Sequence, residues 1–522
     1  MSEQSAQETR EQVLLADEPS TPAASPSLLD RMTQAEAARS SSARAEVVAD
    51  FLNAGSAAEG CRLWLGYLPD TELRKNTARR QLAKDISRID AMLSRQVNAI
   101  LHHPQFQALE AAWRGLELLT RTAQKLTLEN EREGEHCQIQ LRVLNVSKKE
   151  LQKDFEDAVD FDQNMLFRKV YEEEFGIAGG NPYGALVANY EFTNHPDDID
   201  LLAQLSGVGA AAFAPVIAAA DPSLLGLDSF QTLEQPVDLE KIFQQPKHRK
   251  WRSLRERPDS QFLGLTLPRI LMRTPYEDTG AKHHGFRFRE EVEGSDNSHY
   301  LWGSSAWAMA TVIMRAFASS GWFADLRGVE RGVEGGGLVT ELPVHSFGTD
   351  PFGVALKSSA EVAVSDQQDA ELTQQGFIPL SHCKGTPYSV FYSNQSVHQP
   401  KEYDDAAATA NARISSMLQY VLCCSRIAHY LKLRARNKIG SAMSPREIED
   451  DLGTWLVEYV TPDEKAPPSM KARFPLREAE VKVAEVPGEP GKYMLTIRLL
   501  PHYQLDQLSS SMTLVARRVD GL

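Results

Sequence analysis

The chain has 522 residues, 42% of them apolar, with 56 Lys and Arg against 71 Asp and Glu for a net charge of −15. That length holds about two to four domains and a sizeable core, and the apolar fraction is that of an ordinary soluble globular protein. The negative balance argues against a dedicated nucleic-acid binder, which needs a basic footprint. The cysteines, Cys61, Cys137, Cys383, Cys423 and Cys424, lack the spacing of a disulfide framework and point to a reducing compartment. The N-terminal MSEQSAQETREQ has no basic-then-apolar signal pattern. The most apolar window, Gly207 to Ala220, is too short to span a bilayer and contains Pro215. A soluble, cytoplasmic protein with no membrane insertion is expected.

In chain order, residues 1–45 are rich in Ser, Ala, Glu and Pro and read as a mobile arm. Within it Ser27 and Asp30 form a variant capping box, and Leu28, Met32 and Ala35 fall on one face of the short helix it would start. Such helices dock into partner grooves. Leu82, Ile86, Ile89, Leu93, Val97 and Ile100 then give a helix over about Thr77 to Leu101. Pro104 starts another, presenting Phe106, Leu109, Trp113 and Leu116 on one face, with Trp113 read as core. His102-His103 lacks a third ligand at helical spacing, so it marks a helix junction and not a metal site.

Cys137 to Val146 alternates Ile139, Leu141 and Val143 against Gln138, Gln140 and Arg142, the pattern of a half-buried strand. Ser147 and Glu150 form a capping box for the next helix. Gly179 to Gly184 is a turn before Ala185–Tyr190, an apolar run suited to a central strand. It lacks the Gly-Lys-Ser/Thr of a phosphate loop. Asp197, Asp198 and Asp200 sit at a helix start, where the dipole favours them. They lack the spacing of a calcium loop.

Lys247, Arg249, Lys250, Trp251, Arg252, Arg255 and Arg257 form a basic run, read as a solvated or intersubunit face. An apolar stretch from Phe262 to Met272 follows, and Ser305–Ala318 reads as a buried helix. Val362–Val364 and Phe377–Leu380 are expected strands around an acidic helix, Asp366 to Gln375, in a mixed α/β domain. Tyr403 to Leu433 reads as one long helix with Ile414, Met417, Val421, Cys424, Ala428 and Leu431 along one face. Adjacent Cys423 and Cys424 are read as buried free thiols. Pro445 starts another helix. After Pro467-Pro468 the chain alternates as strands: Ala479, Val481 and Val483; Tyr493, Leu495, Ile497 and Leu499; and Met512 to Arg518. Terminal strands with so few partners either aggregate or are completed by another chain.

Several motifs in one order carry a family resemblance. They are Lys250-Trp251-Arg252-Ser253-Leu254-Arg255-Glu256 with Leu263-Gly264-Leu265 and Pro268-Arg269; His103-Pro104-Gln105-Phe106 with Trp113-Arg114-Gly115-Leu116; His299-Tyr300-Leu301-Trp302-Gly303; Leu342-Pro343-Val344-His345; Gly376-Phe377-Ile378; Arg426-Ile427-Ala428-His429-Tyr430-Leu431-Lys432; and Leu514-Val515-Ala516-Arg517. Over about residues 27 to 518 the chain resembles the large subunit of the type VI secretion contractile sheath, the TssC/VipB family. The resemblance implies a mixed α/β (α+β), sheath-like multi-domain protein in a Gram-negative cytoplasm. It implies an arm with a docking helix over 1–45, a helical region packing with a small partner over 46–135, a mixed middle over 136–400, and C-terminal helices and strands over 401–522.

The implied partners are a small TssB/VipA-like sheath subunit, copies of the chain in six-membered rings, an Hcp-like inner tube, a baseplate, and a ClpV-like AAA+ unfoldase that docks at Leu28, Leu29 and Met32. Val481, Val483, Leu495, Thr496, Ile497, Leu514 and Val515 would lie on intersubunit strands. Two departures from the family are a linker, Glu59 to Tyr67, that is unusually apolar, and a charged loop over Glu129–His136.

No catalytic motif, cofactor site or metal site is expected, since the Gly-x-Ser-x-Gly, His-Glu-x-x-His, Cys-x-x-Cys and nucleotide-loop patterns are absent. Two alternatives stand beside the sheath reading. One is a cytoplasmic enzyme whose site gathers acids such as Asp197 and histidines such as His345. The other is a phage-like contractile-tail sheath protein.

Overall fold

The computed structural model describes residues 49–502 apart from 66–74, 134–137, 160, 178–179, 279–284, 293–296, 330–334, 346–357, 384–385, 439–443, 464 and 486–492. It divides into two units, one of residues 1–101 with 276–290 and one of residues 102–275 with 291–522.

In the first unit, α1 (Ala57–Leu65) takes up residues 59–65 of the apolar stretch read as a linker, whose Gly66 and Tyr67 lie outside the described residues. α2 (Lys75–Leu101) runs close to the limits its periodicity predicts. Residues 276–290 close on themselves, with the Glu290 N–H donating to the Tyr276 carbonyl at 2.8 Å.

The second unit is built on a parallel sheet of β1 (Leu186–Phe192), β2 (Val216–Ala220), β3 (Leu263–Leu267) and β7 (Ile378–Pro379), in the order β1-β2-β3-β7. β2 and β3 are buried at every position, as strands covered on both faces must be. β1, expected at the centre, lies at the edge and is mostly half-buried.

One layer over the sheet holds α5 (Pro196–Ala212) and α7 (Arg249–Glu256), with Leu202, Leu205, Trp251, Leu254 and Phe377 in a single cluster. Trp251 is fully buried and stacks on Phe377, ring centroids 5.3 Å apart. On the other side lies α8 (Ala306–Ser320), apolar almost all round and buried along its length. It packs on Ile217 and Ile378 of the sheet and on Leu118, Leu119 and Leu126 of α3 (Pro104–Glu133). The three layers are therefore helices, sheet, and α8 with α3 outside it. α4 (Lys148–Asp157) begins with the expected Ser147/Glu150 capping box, and a short helix, α6 (Leu239–Gln244), precedes α7.

Smaller sheets complete the middle of the chain. β4 (Ile270–Leu271) pairs with β5 (Trp302–Gly303). β6 (Leu338–Val339), β8 (Ser381–His382) and β9 (Ser389–Val390) lie in the order β6-β9-β8. α9 (Asp366–Gln374) leads into β7 with its own capping box, Ser365/Gln368. Val362–Val364, expected as a strand, carries no ladder; Val362 and Val364 are buried instead in the cluster around the sheet.

The expected helix over Tyr403–Leu433 is broken into α10 (Ala406–Ser415) and α11 (Leu418–Lys438). The break is tertiary in origin. The Leu418 N–H donates to the Asn394 carbonyl at 2.9 Å, and the Ser396 N–H to the Ser416 carbonyl at 3.2 Å. α12 (Pro445–Val457), capped by Ser444 and Glu447, and α13 (Pro468–Arg473) follow. The chain then forms an antiparallel hairpin of β10 (Leu476–Glu485) and β11 (Tyr493–Pro501).

Two further expectations change. The loop expected over Glu129–His136 is helical through Glu133, as part of α3. The strand expected over Cys137–Val146 does not form: residues 138–146 run without a ladder.

Gly115 makes the α3–α8 contact. A side chain there would be driven into the indole of Trp307, and that ring is held by its Nε1 donating to Asn189 Oδ1 at 3.1 Å. Overpacking costs about 1–3 kcal/mol, against a helix-propensity gain of about 1 kcal/mol for alanine. Gly115→Ala should therefore lower the thermal midpoint. Trp307→Phe in the same chain should recover part of that loss, because the two sites share one space. Additive losses in calorimetry would show that the indole is not the obstacle.

Candidate assembly surfaces

α3 has two apolar faces. Ala111, Leu118, Leu119 and Leu126 point into the core, and Asn130 Nδ2 donates to the Ala318 carbonyl of α8 at 3.1 Å. Phe106, Leu109 and Trp113, at a spacing of three and four, point outward. Trp113, expected in the core, is 65% exposed and Leu109 56%. Taken by itself, α2 also carries an exposed apolar set: Ile86, Ile89, Met92, Leu93 and Ile100. Single exposed apolar residues are ordinary, but contiguous stripes mark contact surfaces.

The terminal hairpin is the second surface. Ala479, Val481, Val483, Ile497 and Leu499 pack on Leu431 of α11 and on Leu452, Trp455 and Leu456 of α12. The Val483 N–H is taken by Glu449 Oε2 at 2.9 Å. Thr496 stands opposite Lys482 in the ladder and is exposed, on the face away from this cluster. Thus Val481, Val483 and Ile497 serve the chain's own core. Leu495 lies opposite Val483 in the same ladder. Leu514 and Val515, and the arm residues Leu28, Leu29 and Met32, lie outside the described residues.

The basic run turns out to be partly internal. Arg255 is 5% exposed and ties three segments together. Its Nε donates to the Val397 carbonyl at 3.1 Å and its Nη2 to the Gln374 carbonyl at 2.7 Å, while the Gln399 N–H donates to its own carbonyl at 2.9 Å. Burial without a carboxylate lowers its pKa to about 10. Lys250 faces outward, paired with Asp200 at 2.7 Å.

A second, half-buried charge sits at the carboxyl ends of β1, β2 and β3. Arg269 binds Glu191 through Nε at 2.8 Å and Nη2 at 2.6 Å, and lies 3.2 Å from Asp221 and 3.8 Å from Glu361. Burial opposes the charge on Arg269, but these carboxylates hold its pKa above the usual value. Three acids face one cation, and the Glu361 side chain is only 7% exposed. Burial pushes the Glu361 carboxyl up to about 7. Burial also pushes Asp369 up to about 6, against hydrogen bonds from Ser393 and Ser381.

The residues nominated for an enzyme site do not meet. Asp197 pairs with His195 at 3.4 Å, both well exposed, whereas the His345 ring lies beside Tyr300. Among the described residues no group of three or more His, Cys, Asp or Glu is placed to hold a metal. Cys423 is buried, and burial raises its thiol pKa well above the ordinary value and that of Cys424 to about 12. That is the opposite of an activated nucleophile. Among the described residues no helix is long and apolar enough to cross a membrane.

Comparison with known proteins gives the following. The VipB family model, described as EvpB/VC_A0108, tail sheath N-terminal domain, matches residues 83–398, and its companion for the tail sheath gpW/gp25-like domain matches 407–518. The chain is 44% identical over 453 residues to the type VI secretion system sheath protein TssC1 of Pseudomonas aeruginosa, covering 86% of this chain and 88% of that protein. It is similar to a chain of the anti-feeding prophage baseplate (TM-score 0.31, 12% identity, 60% of this chain and 72% of that one). It is also similar to one of that particle's contracted helical sheath (TM-score 0.29, 14% identity, 60% and 73%).

The buried titratable groups pull stability in opposite directions with pH. Glu361 and Asp369 are raised above an unfolded carboxyl near ~4, so their contribution is complete below that value and lost as pH rises through about 6 for Asp369 and about 7 for Glu361. Burial lowers His248 and His429 to about 4, so they add stability as pH rises toward the unfolded value of ~6.5. Above ~6.5 the loss from Glu361, at most ~1.4 kcal/mol per pH unit, is offset by the remaining gain from the two histidines. The urea midpoint should therefore stay nearly level between pH 6.5 and 8, and Glu361→Gln, which removes the opposing loss, should make it rise over that range. A level midpoint in the variant would assign the titration elsewhere.

Proposed function

The chain belongs to the VipB/TssC family of type VI secretion sheath proteins, and from that premise we propose how it assembles and what it assembles with. It is a structural protein, a contractile-sheath large subunit, and not an enzyme.

In the proposed assembly the chain pairs with a small acidic sheath subunit. The pairs stack as six-membered rings into a helical tubule around an inner tube that ends on a baseplate, in the cytoplasm of a Gram-negative cell. Extended and contracted tubules are two packings of the same subunits, and the free-energy drop between them drives the tube outward. An AAA+ unfoldase then engages Leu28, Leu29 and Met32 of the arm and recycles the subunits. Neighbouring chains complete the hairpin around Val481, Val483, Leu495, Thr496 and Ile497, together with Leu514 and Val515.

The observation that carries the pairing is the outward stripe of α3. Phe106, Leu109 and Trp113 stand in solvent on a helix whose opposite face is already used in the core. Aromatic anchors of this kind dominate the binding energy of interfaces.

Two experiments test the assembly. Leu109→Asp with Trp113→Asp alters only exposed side chains, so the chain's own thermal midpoint should change little. The small subunit should no longer co-purify, and negative-stain microscopy of the co-expressed pair should show no tubules. Normal tubules from this variant would place the partner elsewhere. Leu28→Asp with Met32→Asp should leave tubule length unchanged and slow unfoldase-driven disassembly at least ~10-fold. Unchanged disassembly would move the docking site off the arm.

A further inference from the structure

β11 ends beside a cavity. Its last residue, Pro501, and the next, His502, line a space of about 1440 Å³ whose other walls come from α7 (Arg255), α9 (Asp369), α11 (Tyr420) and α13 (Lys471). His502 is fastened there on both sides of its backbone. Its N–H donates to the Pro475 carbonyl at 2.9 Å, its carbonyl accepts from the Tyr420 hydroxyl at 3.2 Å, and the residue is 7% exposed. The chain therefore passes straight from the cavity wall into residues 503–522, with no slack between the two.

Size and charge narrow the occupant. Small-ligand sites hold about 300–1,000 Å³, and this space exceeds them. Among the described residues five Lys or Arg and five Asp or Glu line it, so its charges balance and give no preference to a phosphate or a metal ion. A stretch of polypeptide with little charge suits such a wall. The stretch that follows His502 is Tyr503-Gln504-Leu505-Asp506-Gln507-Leu508-Ser509-Ser510-Ser511, with one charge in nine residues and three large apolar or aromatic side chains, Tyr503, Leu505 and Leu508. A round cavity of this volume is about 14 Å across, the reach of about four extended residues, so the stretch is long enough to fill it. Tethering makes weak contacts count. A segment joined directly to its site acts at an effective concentration on the order of millimolar, so an intrinsic Kd of ~0.1 mM leaves it seated about nine-tenths of the time.

We propose that in the unassembled chain residues 503–511 seat in this cavity and hold Leu514 and Val515 against their own chain until a neighbouring subunit takes them. The consequence for assembly rests on the reading that Leu514 and Val515 join intersubunit strands; the seating itself does not. A seated tail lowers the fraction of chains competent to exchange strands, and so raises the concentration at which tubules nucleate.

The test uses the full chain co-purified with its small sheath subunit, before tubules form. Photo-crosslinking residues replace Glu402 and Ser469, two exposed residues that line the cavity. Isotope-labelled chains are mixed with unlabelled ones to tell contacts within a chain from contacts between chains. Both positions should crosslink to residues 503–511 of the same chain. Leu505→Asp with Leu508→Asp, which leaves His502 and Leu514 in place, should remove those crosslinks and shorten the lag before tubules appear at least ~5-fold. Crosslinks that reach only another chain, or that miss 503–511, would overturn the seating, and so would a double variant with the wild-type crosslinks and lag. Lost crosslinks with an unchanged lag would keep the seating and overturn its role in assembly. Leu514→Pro separates the two claims: normal tubules from that variant would overturn the intersubunit-strand reading, while its same-chain crosslinks would leave the seating standing.

Discussion

The second unit depends on α8 being buried on all sides. An α-helix that faces water needs a polar side; α8 has almost none, because the parallel sheet covers one flank and α3 the other. The pairing fixes several residues at once. Gly115 must lack a side chain for Trp307 to fit. Ser305 Oγ donates inward, to Thr266 Oγ1 at 3.0 Å, because both hydroxyls are buried and need partners within the chain. α3 must be apolar toward α8, and its outward apolar stripe is then surplus to the fold.

The buried Arg255 and the half-buried Arg269 serve the same economy of connection. Arg255 joins α7, the end of α9 and the strand-like stretch near Val397 through carbonyl acceptors alone. Arg269 gathers the ends of β1 and β2 and the segment at Glu361 through carboxylates. The two sites differ in what would happen if the cation were lost. Without Arg255 several carbonyls lose a donor. Without Arg269 three acids would face one another in a partly buried place with no cation between them. Charge inside this molecule orders connections, and its net contribution to stability is the smaller part of its effect.

What the sequence made legible was local. Ser147/Glu150 and Pro104 announced helix starts, and the periodicity of α2 and the alternation of β10 and β11 gave those elements within a few residues. The family was legible too, because separate motifs fell in one order. What failed was long-range. Periodicity says that Trp113 and Leu109 share an apolar face, but an apolar face turned to a core and one turned to a partner read alike. The break before Leu418 has no local signal, since Asn394 and Ser396 impose it from elsewhere in the chain. Arg255 looked like surface because arginine usually is, and only the carbonyls around it reveal why it is not. Residues 138–146 carried a true strand signal and no strand, since alternation specifies an extended backbone and says nothing of where its neighbour comes from.

These failures share a direction. Trp113, Leu109 and residues 138–146 are all places where the sequence satisfies an energetic demand that the single chain leaves open. A monomer selected to stand alone buries such features or replaces them with polar residues. A subunit of a polymer has reason to keep them, because each interaction withheld from the monomer becomes free energy of assembly. The net charge of −15 acts in the other sense, holding unassembled copies apart. Apolar surfaces that attract only at contact and a charge that repels at a distance together favour specific docking over indiscriminate clumping. Screening shortens the reach of the repulsion, to about 8 Å at physiological ionic strength, and leaves the apolar attraction in place. Assembly of such a chain is therefore set by whether the right complementary surface arrives, and not by concentration alone.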